Sequence, residues 1–352
     1  MCIRDRQRTT LQPNYSISKV IKGGWHLAGG HGHIQEREAI EDMLAFVKSG
    51  ITTFDCADIY TGVEELIGKF LKKYQSAFAA GELPPIQIHT KYVPDYNALA
   101  TLTKTDTEQI IDRSLKRLGV ERLDIVQFAW WDYQFPKYVE TAVHLADLQR
   151  KGKIRYIGVT NFDAAHLAEL LEAGVPIVSN QVQYSILDHR VEKDYAALLE
   201  KHPIPFLCYG VVAGGFLSDR YLNVPDPTPP LENRSLTKYR LMIDEFGGYE
   251  LFQEALRTLR IIADKYDVDI AAIAGKYILQ KPTVGGIIIG ARNRHHLEKW
   301  QRLNAFTLDA SDLSKIAAIT TKATGPLGPF YELERDKTGK HGSIMKYNLN
   351  DV

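Results

Sequence analysis

A regular alternation of short apolar, β-branched runs with longer amphipathic segments constrains this sequence more than any other feature. Eight runs have strand character: residues 20–24, 50–55, 86–92, 123–128, 156–160, 177–181, 205–209 and 285–289. Between them, apolar residues recur with helical period over 37–48, 63–74, 106–118, 137–151, 164–173 and 192–201. Strand, amphipathic helix, strand is the pattern of a parallel crossover. Eight such units in one chain predict an α/β fold of the single-domain (β/α)8 TIM-barrel type. A doubly wound sheet is the rival, but no G-x-G-x-x-G opens a helix after the first strand. The rhythm breaks at 211–248, a Gly- and Pro-rich stretch containing PDPTPP, which predicts a long loop beside the site after the seventh barrel strand. Helical patterns resume at 249–266, 270–280, 295–302 and 311–322. Residues 1–12 are polar and pattern-free and read as a disordered extension. The barrel then spans 13–322, and 323–352 form a charged C-terminal extension that covers the pocket, makes a subunit contact or stays solvated.

Charge and cysteine usage narrow the function classes. Lysines plus arginines number 43, as do aspartates plus glutamates, so no global field draws the protein to nucleic acid or an anionic membrane. A small-molecule substrate is the expectation, for a monomer or a homo-oligomer. Cys2, Cys56 and Cys208 are widely spaced and form no metal-binding or disulfide framework, which indicates a reducing compartment. No apolar run reaches the roughly 18 residues of a membrane span, and the expected location is cytoplasmic. His26, His31 and His33 resemble a metal cluster, but they sit among glycines with no acidic partner at ligand spacing, so no metal is expected. Cys56 and Cys208, each beside a site residue, fall on the opposite strand face and read as packing residues.

In a TIM barrel, functional residues lie where strands end. Thr53-Phe-Asp-Cys-Ala-Asp-Ile-Tyr60 ends a strand with an acid and presents a tyrosine five positions later, and His89-Thr-Lys91 ends the next strand with a cation. Singly, each has a structural reading as a helix cap, a rim tyrosine or a solvated lysine. Together they resemble the aldo-keto reductase signature, F-D-x-A-x-x-Y-G followed by a strand ending in T-K, with Thr61 inserted before Gly62. Gly158-Val-Thr-Asn-Phe162 resembles G-V-S-N-F, Asn180-Gln181 with Tyr184 resembles N-Q-x-x-Y, and Cys208-Tyr209-Gly210 through Gly215-Phe-Leu217 resembles Y-x-x-L-x-x-G-x-L. Gly290-Ala-Arg-Asn293 resembles G-A-R-N. The resemblance runs from about Gly23 to about Leu303.

The resemblance implies carbonyl reduction with NADP(H), NAD being the alternative cofactor, and a catalytic set of Asp55, Tyr60 and Lys91. Tyr60 is the general acid. A free tyrosine titrates near 10, so a neighbouring Lys91 cation is expected to lower its pKa, with Asp55 holding the lysine in place. For the cofactor, the resemblance implies Gly24, Trp25 and Asp55 at the reacting end. Thr160, Asn161 and Gln181 would bind the nicotinamide amide, and Tyr209 would stack on its ring. The backbone at Gly210, Val211, Gly214, Gly215 and Leu217 would cradle the pyrophosphate, with Gly290, Ala291, Arg292, Asn293 and His296 at the adenosine end. Arg292 is the candidate for the 2′-phosphate.

One position departs from the pattern. The family's catalytic histidine, at the end of the run Leu123 to Trp131, is replaced by Ala129. Loss of such a donor typically costs about 10² to 10³ in rate. A neighbouring donor replaces it, or the substrate needs less polarisation, or the chain binds NADP(H) without efficient turnover. Trp25, Tyr92, Ala129, Trp130 and Trp131 are the expected pocket lining, with rim packing the alternative for Trp130 and Trp131. The leading function is an NADP-dependent oxidoreductase. The alternatives are a weakly active or inactive NADP(H)-binding regulatory protein, comparable to potassium-channel β subunits, and an unrelated barrel lyase or hydrolase.

Overall fold

The computed structural model describes residues 7–29, 32, 34–290 and 292–350. Its strands are β1 (Arg8–Gln12), β2 (Tyr15–Ser18), β3 (Val20–Gly23), β4 (Thr53–Asp55), β5 (Gln87–Tyr92), β6 (Leu123–Phe128), β7 (Ile154–Thr160), β8 (Ile177–Gln183), β9 (Phe206–Tyr209) and β10 (Val284–Gly290). β3 to β10 pair in sequence order, all parallel, and close into a barrel where Gly290 of β10 sits opposite Gly23 of β3. All eight barrel strands read from the sequence are present. Helices between them cover the outside. Glu36–Lys48 buries Ala39, Ile40, Met43, Phe46 and Val47, an apolar stripe of helical spacing. Lys104–Leu118 begins at a Thr103–Asp106 capping box and ends at Gly119 in the left-handed conformation, φ 67°.

The structure corrects the sequence reading in two places and gives the tail a position. Within the segment expected to be disordered, Arg8–Gln12 is a strand paired antiparallel with β2. The hairpin plugs the N-terminal mouth of the barrel: Leu11, Tyr15 and Ile17 pack with Ile21, Ile125, Val178, Leu207 and Ile288. Its first strand carries a single apolar residue, so burial of Leu11 and pairing with β2, rather than a period-2 pattern, define it. Residues 1–6 lie outside the described residues.

The expected loop 211–248 contains a helix, Arg234–Phe246, whose cap Asn233 accepts from the Leu236 amide at 3.0 Å. That helix buries Leu236, Tyr239, Met242, Ile243 and Phe246, which is why it forms.

The C-terminal tail is ordered against the barrel. It includes a short helix, Glu332–Arg335, and it lies across loops that follow β5, β6, β7 and β8. Arg190 donates to Glu334 at 3.4 Å, the Tyr96 amide donates to the Tyr347 carbonyl at 2.9 Å, and Leu349 and Asn350 amides donate to Asp95. The tail thus packs on the strand-end loops rather than staying solvated. Among the described residues no helix is long and apolar enough to cross a membrane.

Candidate active site

Asp55 closes β4, and alternation along the strand turns its carboxylate into the barrel while Phe54 packs outward. Lys91, on β5 two residues beyond His89, the register partner of Asp55, donates to Asp55 Oδ1 at 2.5 Å and to the Cys56 carbonyl at 3.0 Å. The second carboxylate oxygen accepts from Gln127 Nε2 at 2.8 Å and Gln181 Nε2 at 2.7 Å, and Gln181 also donates to Gln127 Oε1 at 2.7 Å. Asp55 and Lys91 are 3% and 5% exposed. A dry ion pair is stable only when the remaining lone pairs are satisfied, and the two glutamine amides satisfy them here. Burial works against the Lys91 cation, but the negative charge of Asp55 and its proximity to Tyr60 outweigh it, so the ammonium titrates above its ordinary value.

Tyr60 stands in the turn after β4, fixed by its own amide donating to the Ala57 carbonyl at 3.0 Å. The Lys91 ammonium lies 4.9 Å from the tyrosine ring centre, and the Trp25 ring packs against it at 5.1 Å. Here the electrostatic expectation needs correction. Burial raises the Tyr60 pKa, Lys91 lowers it, and burial is the larger, so the phenol titrates above 10 rather than below. Gly24 brings the preceding loop onto this floor. Its amide donates to the Asp55 carbonyl at 2.7 Å, and a Cβ at that position would lie 2.8 Å from the same oxygen, so only glycine allows the approach.

The residues assigned to the nicotinamide end are brought together. Thr160 is buried at the end of β7. Asn161, in the left-handed region at φ 58°, donates its amide to the Gln181 carbonyl at 3.0 Å, and its Oδ1 accepts from the Tyr209 hydroxyl at 2.8 Å. Gly210, Gly214 and Gly215 all have positive φ, and Val211 and Leu217 are buried beneath them. The concavity at Gly210 and Gly214 is filled by the Tyr239 ring, whereas Gly215 faces open space. After β10 the picture is looser. Gly290 abuts His26, and the Arg292 guanidinium points to Gly32 in the loop after β3. Asn293 caps the following turn by accepting from the His295 amide, and His296 lines a cavity of about 430 Å³ with Arg260, Lys299 and Arg302. None of Asp55, Tyr60 and Lys91 lines that cavity. Ala291, His31 and His33 lie outside the described residues.

Two expected pocket residues are elsewhere. Tyr92 is fully buried toward the helical layer, its hydroxyl 3.1 Å from Thr107 Oγ1 and its ring stacked on Phe128. Trp130 is buried between Phe128 and Tyr138, with Nε1 donating to the carbonyls of Asp132 and Phe135. Both occupy the outward phase of their strand ends, opposite to Lys91 and Gln127. Ala129, two residues beyond Gln127, keeps the inward phase and is half-buried. Trp131 is half-buried and donates to the Pro94 carbonyl at 2.9 Å beside Tyr347. Cys56 and Cys208 are buried in the outer core, as packing residues.

The structure also brings in residues that the sequence reading left out. From helix Arg234–Phe246, Arg234 lies 5.8 Å from the Trp25 ring, and Lys238 lies 5.2 Å from the Tyr209 ring and 4.0 Å from Glu334. Burial lowers the pKa of both cations. From the tail, Tyr331 is buried, and Arg335 donates to the Tyr133 hydroxyl at 2.7 Å and to the Asn161 carbonyl. The helical residues had a usable signal in the apolar period around them. The tail residues had none.

This geometry agrees with a match over most of the chain to the model of the Aldo/keto reductase family, residues 19–321. The chain belongs to the aldo/keto reductase family. Aldo-keto reductase YhdN of Bacillus subtilis (strain 168) is 25% identical over 319 residues, covering 89% of this chain and 93% of that protein. The NADH-specific methylglyoxal reductase of Escherichia coli (strain K12) is 26% identical over 290 residues, 78% of this chain and 86% of its own length. Among solved structures, the glycerol dehydrogenase AKR11B4 from Gluconobacter oxydans superposes with a TM-score of 0.75 at 22% identity, covering 92% of this chain and 98% of that one; this likeness concerns the fold.

Proposed function

We propose that this aldo/keto reductase interconverts an aldehyde or ketone with its alcohol, using NADP(H), with NAD as the alternative cofactor. The observation that carries the reading is the buried Asp55–Lys91 pair directly beneath the Tyr60 ring, at the strand ends where barrel enzymes hold their chemistry. The bound dinucleotide supplies hydride to the carbonyl carbon. Tyr60 donates its proton to the carbonyl oxygen. Lys91 compensates the phenolate left behind, and Asp55, fixed by Gln127 and Gln181, keeps Lys91 in place and charged.

The surrounding residues fit an anionic dinucleotide. Arg234 and Lys238 carry charge against a burial penalty, and Arg234 has no carboxylate against it among the described residues, so phosphates near Gly210–Leu217 would relieve both. Thr160, Asn161, Gln181 and Tyr209 would hold the nicotinamide end, and Arg292 and His296 the adenosine end. The name of the methylglyoxal-reducing relative supports the substrate class, a small reactive carbonyl.

Ala129 favours a second reading, a nucleotide-binding protein with slow turnover. The nearest inward polar group below it, the Gln127 amide, is already committed to Asp55. The test is NADPH oxidation by purified protein over a panel of aldehydes, quinones, sugars and enones, with Tyr60→Phe and Ala129→His in parallel. Turnover abolished in Tyr60→Phe supports the enzyme. NADPH binding without turnover, rescued by Ala129→His, supports the binding protein.

A further inference from the structure

The C-terminal tail places one arginine beside the site that forms no ion pair among the described residues. Arg335 sits over the Tyr133 ring at 4.3 Å and beside the Tyr331 ring at 5.2 Å. One terminal nitrogen is held by the Tyr133 hydroxyl and the Asn161 carbonyl. A guanidinium has five N–H donors, and these two bonds leave its other edge without a hydrogen-bond partner among the described residues. Nε is buried and unsatisfied. Leaving buried donors unmade costs free energy that a ligand can recover.

The nearby acids have other partners: Asp163, which acts on Tyr133, lies 2.7 Å from His166 Nδ1. Glu334, one residue earlier, is taken by Arg190, which also binds Asp188 at 2.8 Å. Lys238 lies 4.0 Å from the same Glu334, and Lys91 is paired with Asp55. Arg335 forms no ion pair among the described residues, although the tail around it is rich in Asp and Glu. Its position matters as much as its charge. Asn161 also holds the Tyr209 hydroxyl and donates to the Gln181 carbonyl, while Gln181 binds Asp55. The guanidinium is thus three contacts from the carboxylate beneath Tyr60, through Asn161 and Gln181. Ala129 directly follows β6, the strand next to β7, and the Tyr133 ring that carries the guanidinium belongs to the same loop.

We infer that Arg335 is a specificity-determining residue and that the preferred substrates are carbonyl compounds bearing an anionic group, a carboxylate or a phosphate. The inference rests on the proposed reductase reading for its substrate half. A fixed guanidinium recognises either anion through paired N–H donors, which a lysine at the same place would not reproduce. With the anion held there, the far end of the substrate is anchored and the carbonyl is oriented without help from residue 129.

Binding and turnover are measured separately, so that failure of one claim is not read as failure of the other. First, 4-hydroxybutyrate and butane-1,4-diol are titrated into the full-length protein with NADP⁺, as are glycerol 3-phosphate and glycerol. Each titration is repeated with Arg335→Gln and Arg335→Lys, and the affinity for NADPH is measured in each variant. The expected result is tighter binding of at least one anion than of its neutral counterpart. Arg335→Gln should weaken that anion about 10- to 100-fold, the range for a charge-assisted hydrogen bond, with the neutral ligand and NADPH unchanged and Arg335→Lys intermediate. The carboxylate and phosphate arms show which anion is meant. Equal binding of charged and neutral ligands, or equal losses for both in Arg335→Gln, overturns the inference. So does weakened NADPH binding, which would place Arg335 on the cofactor. Second, turnover of succinic semialdehyde and butanal is followed. An effect confined to KM for the semialdehyde agrees with anchoring, and an effect on both substrates contradicts it. Absence of Tyr60-dependent turnover with either aldehyde would count against the reductase reading alone, because the binding titrations decide the role of Arg335.

Discussion

At Tyr60 two physical effects oppose one another: burial favours the neutral phenol, and the ammonium of Lys91 favours the phenolate. Burial wins, so the acid form that the proposed carbonyl reduction requires persists through neutral pH. Reduction should therefore be flat with pH and decline only as pH rises past about 10, while alcohol oxidation, which needs the phenolate, should climb over the same range. Lys91→Met removes the effect that lowers the phenol, so the rise in oxidation moves to still higher pH. It also leaves Asp55 as an unpaired buried charge, at a stability cost of about 3–5 kcal/mol. Initial rates in both directions across pH, with urea unfolding of the variant, check both statements; an oxidation limb that does not move would show that Lys91 does not tune Tyr60. Much of this residue-level picture was legible, because Asp55, Tyr60 and Lys91 lie at strand ends that the alternation itself marks. What the sequence did not show was the sign of the net shift at Tyr60, which depends on how thoroughly Trp25, the loop helix and the tail exclude water.

At the scale of elements, the site is finished by two pieces that are not part of the strand–helix repeat. Helix Arg234–Phe246 lies over the glycine segment after β9, and Tyr239 occupies the concavity at Gly210 and Gly214. A dinucleotide phosphate entering there must displace that ring. Amide exchange in Arg234–Phe246 is therefore expected to change on NADPH addition, while exchange in β4 and β5 stays constant; an unchanged helix would place the phosphates elsewhere. The tail is latched by Glu334 against Arg190. Glu334→Gln should cost about 1.5–3 kcal/mol, as for a hydrogen bond to a charged group, and should speed exchange across Phe330–Arg335. The helix escaped the sequence reading because PDPTPP and the flanking glycines dominate the segment, although Leu236, Tyr239, Met242, Ile243 and Phe246 carry a helical period. The tail escaped for a different reason. Phe330, Tyr331 and Glu334 are buried by partners distant in sequence, so no local pattern marks them.

At the scale of the whole molecule, the barrel is polar inside at one end and sealed at the other. The β1–β2 hairpin seals it: Ile17 and Tyr15 are buried, and the Tyr15 hydroxyl lies 3.1 Å from His89 Nε2, beneath the site. Burial, with Lys91 adding to it and Asp55 opposing it, lowers the His89 pKa to about 4 from 6.5. The native state thus binds this proton less readily than the unfolded chain. Stability is full above about 6.5 and falls as pH drops toward 4, with a slope of about one proton. His89→Gln should remove that part of the acid sensitivity in urea midpoints taken across the window; an unchanged slope would assign the loss to other groups. Ile17→Ala should cost about 2–5 kcal/mol, as other large-to-small core changes do, which thermal or urea unfolding would show. The eightfold alternation made the barrel readable, and the hairpin was not, because a five-residue strand with one apolar position looks like polar coil.

In the proposed reaction Tyr60, Lys91 and Asp55 direct reduction to a carbonyl despite Ala129. The direct measurement is the fate of deuterium from [4-²H]NADPH in the products of a carbonyl substrate and a conjugated enone, with wild type and Tyr60→Phe. The expected result is label on the carbinol carbon, with the rate reduced about 10²- to 10⁴-fold in Tyr60→Phe. Label on the carbon β to the carbonyl, or label transfer that is indifferent to Tyr60, would contradict it.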